Sequence, residues 1–307
     1  MKHCIAIADF TIEQIDHILE VGFQLRNQRA TGQGNDPILK NQTLAMLFEK
    51  PSLRTRVSFE QAMNELGGHA IVLSGSEVGL GKRESVADVT RVLCGMVQGI
   101  AARVFEHDKL IEMADHASAP IINMLSDDAH PCQALADVMT MMDEFGRDLT
   151  GRTLAYVGDG NNVAYSLAWI CAKLGINFSI AAPAGYELPA EDVEKIKTHH
   201  SAFNFVQSHD PLEVVKNADA IYTDTWVSMG QEEEKAKRIN DFAGFQINDD
   251  LLSHAPDHAI VLHCLPAYRG VEITDSVMDG PRSRVFPEAH NRLHAQKGVL
   301  AVLMGGK

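Results

Sequence analysis

Residues 48–60 read FEKPSLRTRVSFE and place cationic and hydroxyl side chains in one short turn. Arg54 and Arg56 flank Thr55, with Ser52 and Ser58 close by. The apolar run before the turn predicts a strand, and the run after it predicts a helix, so free backbone N–H groups gather at the helix N-terminus. These groups favour an anion, and a guanidinium fork can hold two phosphate oxygens. The turn therefore predicts phosphate binding, and the alternative is a solvated helix start.

The segment His130-Pro131-Cys132-Gln133 is a second candidate for chemistry. Proline is favoured at the first position of a helix, so a helix is expected to begin at Pro131. His130 and Gln133 would then flank its first turn, where both can reach one ligand. A histidine with a purely structural role is the alternative.

Two further polar segments follow apolar runs that predict strands. DTWVSMGQ begins at Asp224, whose carboxylate can hold a cation, and Ser228 with Gly230 gives a flexible polar loop. HCLP contains Cys264, which is either an inert buried thiol or a thiol perturbed by His263. Loops at the carboxyl ends of parallel strands form the ligand crevice in open α/β sheets, which is the expected place for both segments.

Residues 158–162, GDGNN, are similar to a dinucleotide-binding turn but lack two of its features. Val163 replaces the third glycine of GxGxxG, and the next strand ends in AAP (181–183) rather than in an acid for the ribose. An oxidoreductase is therefore disfavoured. Two carboxamides in a tight turn suit a polar small molecule, and an ordinary strand-to-helix turn is the alternative.

Length and composition indicate a protein of two domains with small-molecule ligands. The chain has 307 residues, of which 45% are hydrophobic and 22% charged, with a net charge of −14. The acidic balance argues against a nucleic-acid partner, whereas a local arginine cluster can still bind a small anion. Five scattered cysteines without a CxxC pair suggest free thiols in a reducing cytoplasm. We expect neither a secretory signal nor a membrane helix.

The order of predicted elements indicates an α/β fold. Strands at 43–48, 70–73, 100–104 and 121–124 alternate with helices, and a second series begins at Thr153. We therefore expect two doubly wound domains with mostly parallel sheets, covering residues 1–145 and 146–290. A helix within 291–307 is expected to return to the first domain, residues 56–66 are expected to be helical, and 74–84 are expected to be a loop.

Five segments together resemble the aspartate/ornithine carbamoyltransferase family: FEKPSLRTR, HPCQ, DTWVSMGQE, HCLPAYRG and FPEAHNRLHAQ. They occur in order over nearly the whole chain, and the third and fourth favour ornithine over aspartate. The resemblance implies that the first domain binds carbamoyl phosphate and the second binds L-ornithine. It also implies a homotrimer, or a higher assembly of trimers, with active sites between domains and between subunits. The family needs no metal or organic cofactor.

The resemblance assigns roles to individual residues. Carbamoyl phosphate would be bound by Ser52, Leu53, Arg54, Thr55, Arg103, His130, Gln133, Cys264, Leu265 and Arg292. Ornithine would be bound by Asn162, Asp224, Ser228 and Met229. The catalytic residues would be Arg103, His130, Asp224 and Cys264.

Two positions depart from the family pattern. Leu53 stands where threonine is frequent, which removes a side-chain donor, and Gly79 stands where glutamine or histidine often reaches the neighbouring subunit. That cross-subunit phosphate contact is then either missing or supplied by Lys82 or Arg83. Three questions stay open from the sequence. The acceptor could be putrescine or an N-acylated ornithine, and the protein could be a non-catalytic sensor of carbamoyl phosphate. The sequence also does not distinguish arginine synthesis from degradation.

Overall fold

The computed structural model describes residues 1–228, 230 and 232–306. The chain forms two compact units, Met1–Ala136 with His290–Lys307, and Asp137–Ala289. Each unit is built on its own parallel β-sheet, which confirms the predicted α/β fold.

The first unit contains a four-stranded sheet in the order β2-β1-β3-β4. Its strands are β1 (Thr43–Phe48), β2 (His69–Ser74), β3 (Gly99–Arg103) and β4 (Ile121–Leu125). Its helices up to this point are α1 (Ile12–Ala30), α2 (Leu53–Glu65), α3 (Gly75–Val78), α4 (Val86–Cys94) and α5 (Asp108–His116). The middle strands are buried on both faces, as expected for a parallel sheet covered by helices, and their buried residues are accordingly apolar apart from Arg103.

The second unit contains a five-stranded sheet in the order β7-β6-β5-β8-β9. Its strands are β5 (Thr153–Val157), β6 (Asn177–Ala181), β7 (Phe205–Ser208), β8 (Ala220–Thr223) and β9 (Ile260–His263). The remaining helices are α6 (Pro131–Phe145), α7 (Asn162–Leu174), α8 (Ala190–His199), α9 (Pro211–Val215), α10 (Lys235–Asp241), α11 (Asp249–Ser253), α12 (Asp275–Met278) and α13 (Val285–Met304). Within the described residues, no helix combines the length and apolarity needed to cross a membrane.

Two local predictions for the first unit need correction. Helix α2 begins at Leu53, three residues before the predicted start, because Ser52 caps it and accepts the backbone N–H of Thr55 at 3.4 Å. The expected loop at 74–84 contains the short helix α3. The serine–threonine turn is therefore the first turn of the helix itself.

The C-terminal helix α13 packs on the first unit, as predicted. A Cβ added at Gly298 would lie 2.3 Å from the carbonyl oxygen of Ile18 in α1, so only glycine allows this approach. The ammonium of Lys297 is fully buried, and it binds the Glu65 carboxylate and the side-chain oxygen of Asn35. Close backbone packing and a buried ion pair thus hold α13 against this unit.

Candidate active site

The turn between β1 and α2 presents a helix N-terminus beside hydroxyl groups. Ser52 donates its hydroxyl to Thr55 Oγ1 at 3.0 Å, and Thr55 is buried while Arg54 is half-buried. The first backbone N–H groups of a helix have no acceptor within the helix. Together with the helix dipole, they make this turn suitable for an anion.

Two buried arginines from other elements of the same unit meet at this turn. Arg103, at the end of β3, and Arg292, in α13, donate to Thr55 Oγ1 at 3.5 and 3.4 Å. Arg292 also donates to Gln133 Oε1 at 2.6 Å. Its Nε has no hydrogen-bond partner among the described residues. The structure therefore brings four predicted residues, distant in sequence, into one cationic cluster.

His130 lies beside this cluster, immediately before α6, and is buried. Burial lowers the pKa of His130 well below its usual value, and the positive charges of Arg292 and Arg103 lower it further. The imidazole is therefore neutral at physiological pH and carries a single N–H donor. A neutral donor can bind a carbonyl oxygen without adding charge to an already cationic cluster.

In the second unit, Asp224 follows β8 and is held by three donors. Its Oδ2 accepts the carboxamide of Asn161 at 3.0 Å. Its Oδ1 accepts the backbone N–H of Thr225 at 2.8 Å and the thiol of Cys264 at 3.1 Å. Because all three groups donate, the carboxylate acts as the acceptor at the centre of this arrangement.

Cys264 is a thiol rather than a thiolate. Burial raises its pKa well above the usual value, and the negative charge of Asp224 raises it further. His263 does not activate it, since its Nδ1 accepts the backbone N–H of Leu265 at 2.9 Å and its Nε2 lies 3.2 Å from Glu272 Oε1. Of the two alternatives raised from the sequence, the structure favours the buried thiol.

The same residues are the candidates for binding a metal ion. One ligand atom each from Asp224, His263 and Cys264 lies within 4.8 Å of the others. However, both ring nitrogens of His263 already have partners, and the sulfur is protonated. A metal ion would have to displace these bonds, so the present arrangement is that of a hydrogen-bond network.

Asn161 is a site residue that the sequence reasoning missed in favour of its neighbour. It caps α7, where its Oδ1 accepts the N–H groups of Val163 and Ala164 at 2.9 and 3.2 Å. The same carboxamide donates to Asp224, whereas Asn162 occupies the first helical position and is half-buried. Asparagine between a strand and a helix is a common N-cap, and this was the signal available in the sequence.

Arg238 of α10 is a second residue that was missed. It is 7% exposed and donates to Asp159 Oδ2 at 2.7 Å and to the carbonyl oxygen of Trp226 at 3.0 Å. Asp159 belongs to the GDGNN turn, and Trp226 belongs to the segment that follows Asp224. Arg238 therefore ties the two polar segments of this unit together.

The remaining predicted site residues differ in how far they are exposed to solvent. Leu53 is 75% exposed on the first turn of α2, and Leu265 is half-buried with a left-handed φ of 59°. Ser228 is half-buried. Met229 lies outside the described residues.

Gly79 has a structural reason to be glycine. It ends α3 with a left-handed φ of 63°, and a Cβ there would lie 2.7 Å from the Cβ of Arg83. Lys82 and Arg83 are exposed, and Arg83 lies 3.6 Å from Glu84. A longer residue at this position would strain the turn.

Comparison with known proteins identifies two family models along the chain. Residues 2–143 match the model of the aspartate/ornithine carbamoyltransferase carbamoyl-P binding domain, and residues 150–303 match that of the Asp/Orn binding domain. The chain belongs to the aspartate/ornithine carbamoyltransferase family. This confirms the resemblance found in the sequence.

Several carbamoyltransferases are similar over the full length. The ornithine carbamoyltransferase of Pyrococcus abyssi is 49% identical, covering 99% of this chain and 96% of that protein. That of Anoxybacillus flavithermus is 46% identical, over 99% and 96% respectively. The solved ornithine carbamoyltransferase from Pyrococcus furiosus is 46% identical with a TM-score of 0.96, covering 100% of this chain and 98% of the other.

Proposed function

We propose that this protein is an ornithine carbamoyltransferase: it transfers the carbamoyl group of carbamoyl phosphate to the δ-amine of L-ornithine, giving L-citrulline and phosphate. The observation that carries the proposal is the cluster of Arg103 and Arg292 on Thr55 at the N-terminus of α2. Thr55 and Arg103 lie within residues 2–143, which match the carbamoyl-P binding model. Full-length relatives named ornithine carbamoyltransferase support ornithine as the acceptor. No observation favours putrescine or an acylated ornithine.

In this mechanism the first unit binds carbamoyl phosphate. The α2 N-terminus with Ser52, Arg54 and Thr55 holds the phosphate, and Leu53 contributes only its backbone N–H. Arg103 and neutral His130 donate to the carbonyl oxygen, while Gln133, fixed by Arg292, binds the carbamoyl amide. Attack on the carbonyl carbon creates an oxyanion, and each donor aimed at it is worth roughly 2.7–4 kcal/mol of barrier.

The second unit binds ornithine and manages its proton. The neutral δ-amine is the nucleophile, so an acceptor must take the proton that the amine loses. Asp224 is that acceptor in our proposal, and Cys264 is a donor beside it, because burial keeps its thiol protonated. Asn162, Ser228 and Met229 are proposed to hold the amino-acid end, and Leu265 to border the carbamoyl group.

A homotrimer in the cytoplasm is also proposed, with the three-part domain division predicted from the sequence. The first unit exposes large apolar side chains that a neighbouring subunit can cover, namely Leu53, Val57, Val92 and Met96. The five free cysteines suit a reducing compartment. Sedimentation equilibrium tests the assembly, and a monomer at micromolar concentration would contradict it.

The experiment is a citrulline assay with carbamoyl phosphate and four acceptors: ornithine, putrescine, N-acetylornithine and aspartate. Turnover with ornithine alone is expected. Arg54→Ala should lose about a hundred- to a thousandfold in kcat, the effect of one lost transition-state donor. Arg56→Ala is the matched control, because Arg56 is exposed and, among the described residues, forms its ion pair with nearby Glu60 at 3.3 Å. Equal activity of both variants would contradict the phosphate assignment.

A further inference from the structure

The turn that precedes His130 is held by buried hydrogen bonds. It consists of residues 126–129 and joins β4 to α6. The backbone N–H of Ser126 donates to the carbonyl oxygen of Ala129 at 3.0 Å, and the carboxamide of Asn123 donates to the same oxygen at 3.2 Å. All three residues are buried. These bonds therefore fix the backbone from which the imidazole of His130 projects.

The hydroxyl group of Ser126 joins this turn to His107, which lies immediately before α5. The hydroxyl oxygen accepts the carboxamide of Asn123 at 3.2 Å and the backbone N–H of Ala129 at 3.3 Å. Its hydrogen has two acceptors in reach, His107 Nδ1 at 2.7 Å and the carbonyl oxygen of Ala129 at 3.4 Å. That carbonyl oxygen is farther away and already has two donors, so the hydroxyl donates to Nδ1. His107 therefore serves the turn as a hydrogen-bond acceptor.

His107 belongs to the segment that also carries Arg103. The connection from β3 to α5 begins after Arg103 and ends at His107. Along this connection, the backbone N–H of Asp127 donates to the carbonyl oxygen of Phe105 at 2.9 Å. The bond from Ser126 to His107 adds a side-chain link between the same two segments. The residues that follow two neighbouring strands, β3 and β4, are thus tied together.

Resting on the proposed function, we propose that His107 is a positioning residue for carbamoyl transfer. Through Ser126 it fixes the turn that holds His130 against the carbonyl oxygen of carbamoyl phosphate, opposite the donor on Arg103. His107 is half-buried and touches neither substrate in this proposal. Without its acceptor, the link between the two donor segments is lost, and a displacement of about 1 Å can cost roughly a hundredfold in rate.

The test compares three substitutions in the full-length protein by the citrulline assay. His107→Leu removes the acceptor and should lower kcat about ten- to a hundredfold. His107→Asn keeps an acceptor oxygen at the place of Nδ1 and should restore most of the lost kcat. His116→Leu changes the exposed last residue of α5, and as the matched control it should leave kcat unchanged.

Inhibition by inorganic phosphate distinguishes positioning from general damage to the site. The phosphate is proposed to bind at the N-terminus of α2, which His107 does not contact. The inhibition constant of phosphate should therefore be the same in His107→Leu and in the wild type. A parallel loss of phosphate affinity, or an asparagine variant as slow as the leucine variant, would overturn the proposal.

Ser126→Ala provides an independent test, because it removes the other partner of the same bond. Added to Ser126→Ala, the substitution His107→Leu should lower kcat no further, and additive losses would refute the link through Ser126. An active wild type with a fully active His107→Leu variant would overturn the positioning role alone. A wild type that binds phosphate but forms no citrulline would overturn the proposed function and, with it, the positioning role.

Discussion

Substitution of Asn161 by alanine should damage both the stability and the ornithine site of the second unit. One carboxamide caps α7 and holds Asp224 at 3.0 Å. Losing an asparagine cap costs about 1 kcal/mol, and a hydrogen bond to a charged group is worth about 1.5–3 kcal/mol. The expected loss in the free energy of unfolding is therefore about 2.5–4 kcal/mol.

Two variants separate these effects. Asn161→Ser keeps a cap, but its side chain is too short to reach Asp224. It should therefore lose only the free energy of the hydrogen bond to Asp224, about 1.5–3 kcal/mol. Asn161→Asp also keeps the cap but places a carboxylate beside Asp224, which raises the pKa of the pair and should reduce activity further.

Urea unfolding at constant slope measures stability, and the citrulline assay measures KM for each substrate. Asn161→Ser should raise KM for ornithine more than KM for carbamoyl phosphate. The reasoning is refuted if the serine variant matches the wild type in stability and in ornithine KM, or if alanine is no worse than serine.

Three further predictions concern packing, a buried ion pair and acid stability. Gly298→Ala should destabilise the protein by about 1–3 kcal/mol and lower its Tm, since the new Cβ meets a backbone carbonyl oxygen of α1 at 2.3 Å. Gly306→Ala is the control. It has open space around it and should leave Tm unchanged. Arg238→Met should lower the free energy of unfolding by about 3–5 kcal/mol, because buried Asp159 is left without its cation. The same variant should raise KM for ornithine. A loss below about 1 kcal/mol in urea unfolding would contradict this prediction. Burial and nearby cations lower the pKa of His294 from 6.5 to about 4. Below pH 6.5 the unfolded chain therefore binds a proton at this histidine that the folded chain does not. The free energy of unfolding should fall by up to about 3 kcal/mol as the pH drops to 4. His294→Gln should reduce that fall, as measured by urea unfolding at a series of pH values.

The sequence predicted the elements whose signals are local. The apolar run of β1 was predicted with its observed bounds. The start of α2 was missed because the arginine-rich turn was interpreted as a loop. The capping signal of Ser52 lay within it.

The contacts within each part of the site were beyond sequence reasoning. Residues 55, 103, 133 and 292 meet only because parallel strand order brings the ends of β1 and β3 together and α13 returns to the same unit. The N-cap preference of asparagine points to Asn161 as a helix cap, but no local pattern shows that its carboxamide also reaches Asp224. Likewise, the protonation of Cys264 depends on burial and on a carboxylate 40 residues away.

The discontinuity of the first unit constrains how the chain folds during synthesis. Residues 137–289 are contiguous, so the second unit can complete its core without a segment from elsewhere in the chain. The first unit begins to be synthesised first, but it lacks α13 until residues 285–304 leave the ribosome. Until then, Gly22 and Ile18 of α1 lack the helix that packs at Gly298, and Glu65 lacks its buried lysine. The core of the first unit, although most of it is synthesised early, is therefore complete only when α13 has joined it.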